Sequence, residues 1–95
     1  MVIFISGAMT GKPDFNRPQF FRAEKTLTKL GHVVWNPAYA PDGLSHEAYM
    51  EVCYAMINRS DAIYQLPGWK ESKGARLEYA FAQATGKRIL TRQDL

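Results

Sequence analysis

The sequence predicts an α/β domain: a four-stranded parallel sheet of order 2-1-3-4 with helices on both faces. Three features carry this reading. Four short β-prone runs, at Val2–Ile5, Val33–Trp35, Ala62–Leu66 and Lys87–Thr91, alternate with three segments of helical periodicity. The alternation is β-α-β-α-β-α-β at about 30 residues per repeat, the size of a βαβ unit. Right-handed crossovers then make the strands parallel and cover both sheet faces.

Each element has local chemistry behind it. Val2-Ile3-Phe4-Ile5 is a continuous apolar run rich in β-branched residues, as in a strand buried on both faces. Ser6 through Pro13 breaks it with turn formers. Asn16 is expected as an N-cap and Pro18 fits the first helical turn. Phe20, Ala23, Leu27 and Leu30 recur at helical spacing, and Gly31 stops the helix. After the Val33–Trp35 strand, Asn36–Leu44 is a loop holding Pro37, Pro41 and Gly43. Ser45 is expected to cap a second helix with the apolar stripe Tyr49, Val52, Cys53, Met56 and Ile57. Asp61 opens the third strand, Pro67-Gly68-Trp69 turns the chain, and Ser72 caps a helix running to about Thr85 before Gly86. The last strand follows.

Composition narrows the function classes. At 95 residues the chain reads as a single domain spanning 1–95. It is 46% hydrophobic and 22% charged, so it reads as globular rather than disordered. The formal charge of +3 suits a small anionic ligand, and no basic run points to nucleic acid. Cys53 is the only cysteine, which excludes an intrachain disulfide. With His32 and His46 it forms no recognised zinc spacing, so neither a metal nor a cofactor is expected. Val2–Ile5 is too short for a membrane span and lacks the basic start of a signal peptide, so a cytoplasmic protein is expected.

In an open parallel sheet, ligands bind beyond the carboxyl ends of the strands, at the switch point. Loops 6–16, 36–45 and 66–73 build that edge. Asp14, Asp42, Glu47, Glu71 and Glu78 lie on or near it, and Asp61, at a strand start, lies opposite and reads as structural. Glu78 has the apolar neighbours Ala75, Leu77, Ala80, Phe81 and Ala82. It is either a solvated face residue or a placed functional group, and Lys70, Lys73 and Arg76 are near enough to neutralise it. The glycines of Ser6-Gly7-Ala8-Met9-Thr10-Gly11 let backbone approach a ligand, although neither a Walker loop nor GxGxxG is present. Ser72 and the first-turn N–H groups of the third helix are a phosphate or ribose site, or a plain cap. Gly74, unfavourable inside a helix, hints that something approaches the backbone there. Trp69 is placed to stack on a base or to plug the surface. His46 is a helix-start residue on the ligand edge, with a binding or acid-base role as the alternative. Tyr49, Tyr54 and Cys53 read as core.

Taken together, Phe4–Gly11, Gly31–Pro37, Ser60–Tyr64, Leu66–Trp69 and Ser72–Glu78 resemble the small, mostly phage and bacterial proteins of the domain of unknown function 4406 family (DUF4406). That family is related to the nucleoside 2-deoxyribosyltransferases and the 2'-deoxynucleoside 5'-phosphate N-hydrolases. The resemblance covers about residues 1–91. It implies a flavodoxin-like, Rossmann-like three-layer sandwich acting on the N-glycosidic bond of a nucleoside or nucleotide. Gly74-Ala75-Arg76-Leu77-Glu78 matches the segment holding the enzymes' glutamate nucleophile, so Glu78 takes that role. Ser72, six residues earlier, stands where the hydrolases that use monophosphates carry serine. Ser6, Gly7, Ala8, Met9 and Thr10 inherit a sugar or phosphate contact, with Trp69 and Gly74 beside them.

Two departures accompany the match. Phe4 and Ile5 stand where the enzymes place a tyrosine late in the first strand. Cys53, eight residues before Asp61, stands where they place an aspartate. Asp42, His46 or Glu47 is expected to supply a replacement acid. The implied partners are a nucleoside or nucleotide and further copies of the chain, as a homodimer or higher homo-oligomer. The alternatives to catalysis are a phage protein that sequesters a nucleotide signal and a structural module that kept the fold without activity.

Overall fold

A computed structural model describes residues 1–95. The elements run β1 (Val2–Ser6), α1 (Arg17–Lys29), β2 (Val33–Trp35), α2 (His46–Asn58), β3 (Ala62–Gln65), α3 (Lys73–Ala84) and β4 (Arg88–Leu90), with short 3-10 turns in the connections. All strand pairs are parallel and the sheet order is β2-β1-β3-β4, the flavodoxin-like arrangement expected from the sequence.

Strand alternation divides the core in two, because successive side chains point to opposite faces. Ile3 and Ile5 of β1 pack with Ala62 and Tyr64 of β3 against Phe20 and Leu27 of α1. Phe4 and Ile63 point the other way, onto Cys53 and Ile57 of α2 and Ala82 of α3. One helix therefore covers one face and two cover the other. Ser6 follows Phe4 by two residues, so it shares the α2–α3 face at the carboxyl end of β1.

Two local expectations need correction. Asn16 occupies the N-cap position of α1 but does not cap it. Asp14, Phe15 and Asn16 all have left-handed backbone (φ 50°, 51° and 62°). That turn swings the Asn16 amide back to donate to the Ala8 carbonyl at 3.0 Å and to Gln19 Oε1 at 2.9 Å. It thus staples the first loop to α1. In α2 the buried seam is Met50, Cys53 and Ile57, spaced three and four residues apart; Val52 lies off that seam and is exposed. Ser45 and Ser72 do cap α2 and α3, accepting from the N–H groups of Ala48 and Ala75 at 3.1 Å each. Asp61 accepts from the Val2 N–H at 2.8 Å, tying the amino ends of two neighbouring strands. No helix is long and apolar enough to cross a membrane.

Candidate active site

Three elements converge on one carboxylate. The Ser72 cap fixes the start of α3, and Ala75, Glu78 and Ala82 form its buried stripe. Glu78 is thereby turned towards the sheet and is only 4% exposed. The alternation of β1 brings Ser6 beneath it, and the Ser6 hydroxyl donates to Glu78 Oε1 at 2.6 Å. From α2 the fully buried Cys53 thiol completes the surround. Burial pushes the Glu78 carboxyl up from 4.5 to about 7, with the Ser6 and then the Cys53 hydrogen bonds pulling it back. Cys53 and Tyr49 are both pushed up as well, chiefly by burial and further by neighbouring charge, so both stay neutral.

The solvated-face alternative for Glu78 is therefore excluded, and no cation neutralises it. Both ion pairs in the chain belong to Arg17, with Asp14 and Asp42. Arg76 instead donates to the Lys70 carbonyl at 2.8 Å. The buried carboxylate is balanced only by a hydroxyl and a thiol, so its energy rises sharply when it ionises.

Glu78 lies in the wall of a cavity of about 570 Å³. Gly7, Ala8, Met9 and Thr10 form one side, and Ser72, Lys73, Gly74 and Ala75 at the start of α3 form another. Lys12, Lys73 and His46 bring positive or protonatable groups, with Glu71 the one other acid. An adjoining cavity of about 240 Å³ shares Met9, Thr10, His46 and Tyr49 with it. Phe15, Pro37, Pro41 and the Arg17–Asp42 pair wall that second space. The Tyr49 hydroxyl donates to Met9 Sδ at 2.9 Å, between the two.

The expected site residues separate into groups. Gly7, Ala8, Met9, Thr10, Ser72 and Gly74 line the Glu78 cavity, as does His46. Ser6 does not face it as a sugar or phosphate contact: it is fully buried and its hydroxyl is committed to Glu78. Trp69 does not reach the cavity either. Its ring stacks on Tyr79 of α3 (centroids 4.8 Å apart, planes at 28°), which draws it to a separate cavity near Arg92. Asp42 lies in the adjoining space and is held by Arg17, while Glu47 is exposed and lines neither. Phe4 and Ile5 are fully buried core residues and bring no hydroxyl.

At Gly74 the backbone is open. A Cβ there meets nothing closer than Met50 Sδ at 3.6 Å, so the protein itself leaves room for a side chain. The close approach is at Gly7, where a Cβ falls 2.8 Å from Leu66 Cδ1 and 2.9 Å from its Cβ. There the first loop packs directly on the end of β3. Sequence reasoning missed Lys12 and Tyr49 as cavity residues and Cys53 as a Glu78 partner. The signal for Cys53 was its place on the same seam as Met50 and Ile57, which aims it at the sheet.

The profile of the family described as "Domain of unknown function (DUF4406)" matches residues 1–91. Among solved structures, the chain is similar to the CMP N-glycosidase BcmB of Clostridium botulinum, with 23% identity, a TM-score of 0.67, and coverage of 96% of this chain and 70% of that one. It is also similar to a 2-desoxiribosyltransferase from Leishmania mexicana, with 23% identity, a TM-score of 0.75 and coverage of 95% of this chain. The chain spans 62% of the latter protein's length. No curated protein gives a significant match.

Proposed function

The chain belongs to the DUF4406 family, and on that premise we propose that it binds a nucleoside or deoxynucleoside 5'-monophosphate and cleaves or transfers its N-glycosidic bond with Glu78 as nucleophile. One observation carries the reading: a buried, unpaired carboxylate faces a nucleotide-sized cavity whose other walls are glycine-bearing backbone, a capped helix start and cations. The names of both similar structures denote chemistry at the same class of bond, and that of BcmB specifies a monophosphate.

Cleaving the bond between C1' and the base develops positive charge at C1'. Ionised Glu78 offsets that charge and donates an electron pair to C1' as the bond to the base breaks. The departing base takes up a proton, and His46, in the wall of both spaces, is the side chain placed to supply it. Water, or a second base, then attacks C1' of the glycosyl ester, returns a proton to His46 and releases the carboxylate. Ser6 donates to Oε1 and so holds the carboxylate in place. Lys12, Lys73 and the N–H groups beside Ser72 hold the 5'-phosphate, where a helix start favours an anion. We also read the protein as a homo-oligomer, because β2 is an edge strand with Val33 and Trp35 exposed.

The second reading, binding without turnover, is favoured by Phe4 and Cys53, which put no further acid or hydroxyl beside Glu78 beyond Ser6. Incubation with each ribonucleoside and deoxynucleoside monophosphate, followed by chromatography for free base, separates the two. Base release supports the glycosidase reading. Calorimetric binding with no release selects the second.

A further inference from the structure

A third cavity, of about 490 Å³, shares only Glu71 with the one around Glu78. Its walls are the β3–α3 connection, from Gln65 to Glu71, and residues Thr91 to Gln93 beyond β4. It too lies at the carboxyl ends of parallel strands, between β3 and β4 rather than between β1 and β3. Gln65 is only 2% exposed, and its Nε2 is the chain's one buried side-chain polar atom without a hydrogen-bond partner. Buried donors are rarely left unpaired, because the desolvation cost is not recovered.

Charge around the cavity points the same way. Lys70 and Arg92 come from different segments, both are exposed, and neither is in an ion pair. Lys70 Nζ lies 5.9 Å from the centroid of the Trp69 ring, over it. Glu71 is the single acid. The Thr91 hydroxyl is engaged with Asp94 at 3.3 Å, but the Gln93 amide adds a further donor. Donors from two separate segments, Gln65 and Lys70 on one and Arg92 and Gln93 on the other, suit a phosphate, whose oxygens point in several directions, better than a planar carboxylate.

We propose that this cavity is a second ligand site, which takes a small phosphate-bearing molecule between Lys70 and Arg92 and gives the Gln65 amide its missing acceptor. The site is independent of the chemistry assigned to Glu78 and stands if that assignment falls.

The test uses the whole chain carrying Lys12→Ala and Lys73→Ala, which removes the cations of the Glu78 cavity. Calorimetry with inorganic phosphate, and separately with ribose 5-phosphate, then reads chiefly the Arg92 site, because the Glu78 cavity has lost its two lysines. This parent is expected to bind one phosphate per chain and to melt at higher temperature in its presence. Adding Arg92→Ala, an exposed change that leaves the core intact, is expected to weaken binding at least tenfold. Adding Gln65→Leu is expected to raise the resting melting temperature and abolish the phosphate-dependent rise. Tighter binding of ribose 5-phosphate identifies a phosphate monoester as the ligand, and equal binding identifies free phosphate. A parent that binds neither probe, or an Arg92→Ala variant that binds as tightly as the parent, overturns the proposal.

Discussion

Replacing Glu78 with glutamine should make the protein more stable, and only above a particular pH. The carboxyl rises from 4.5 in the unfolded chain to about 7 in the fold, mainly because it is buried. Each tenfold change in proton affinity is about 1.4 kcal/mol, so ionising Glu78 inside the fold costs about 3 kcal/mol. Between those two pH values the folded chain holds a proton that the unfolded chain has lost. Stability is therefore full below about 4.5, falls as pH rises, and is lower by about 3 kcal/mol once pH passes about 7. That is a large share of the 5–15 kcal/mol typical of a small domain. Glu78→Gln removes the ionisation and keeps an oxygen to accept from Ser6. Urea unfolding at pH 4.5 and pH 8.5 measures it. At pH 4.5 the variant and wild type should unfold together. At pH 8.5 the variant's midpoint should be higher by about 1–3 M, for urea slopes of 1–3 kcal/mol/M. An equal shift at both pH values, or destabilisation at pH 8.5, would refute the burial argument.

Other consequences are as specific. Ser6→Ala removes the bond that holds Glu78 acidic, so the stability decline should still begin near pH 4.5 but extend to higher pH and go deeper; at pH 8.5 the variant should lose about 1–3 kcal/mol in the same assay. Gly7→Ala drives a Cβ into Leu66 and should cost about 1–3 kcal/mol in thermal melts, whereas Gly74→Ala, with room for its methyl, should be neutral or stabilising by up to about 1 kcal/mol. Lys12→Ala with Lys73→Ala should raise KM at least tenfold for a deoxynucleoside monophosphate and leave KM for the nucleoside unchanged; equal changes for both would remove these lysines from the phosphate.

The architecture was legible because its signals are periodic and local. Val2–Ile5 and Ala62–Tyr64 are short apolar runs bounded by turn formers or polar residues, as a strand covered on both faces carries, and Gly31 and Gly86, both at positive φ, mark helix ends by a backbone need that glycine meets cheaply. The carboxylate at the centre was legible as a residue but not as a buried one. Apolar neighbours adjacent in sequence surround a helical position on every side, so they do not say which way it faces. The spacing of Ala75, Glu78 and Ala82 does, and the Phe4–Ser6 alternation gives the matching signal on β1. Trp69 was misplaced because nothing local reveals that Tyr79, ten residues on, will take its ring. Asn16 was misread as a cap because its role depends on three successive left-handed residues, a conformation that propensity does not anticipate. Lys12 and Tyr49 entered the cavity through tertiary approach of the first loop to α2, and no single segment records that contact.

The account stands most directly on whether Glu78 performs the chemistry. Base release from a deoxynucleoside monophosphate, measured at pH 8 for wild type and Glu78→Gln alongside calorimetric binding of the same nucleotide, tests this. The variant should bind within about threefold of wild type and release base slower by at least about 10³-fold, as expected for loss of a nucleophile. Undiminished release by the variant would contradict the account.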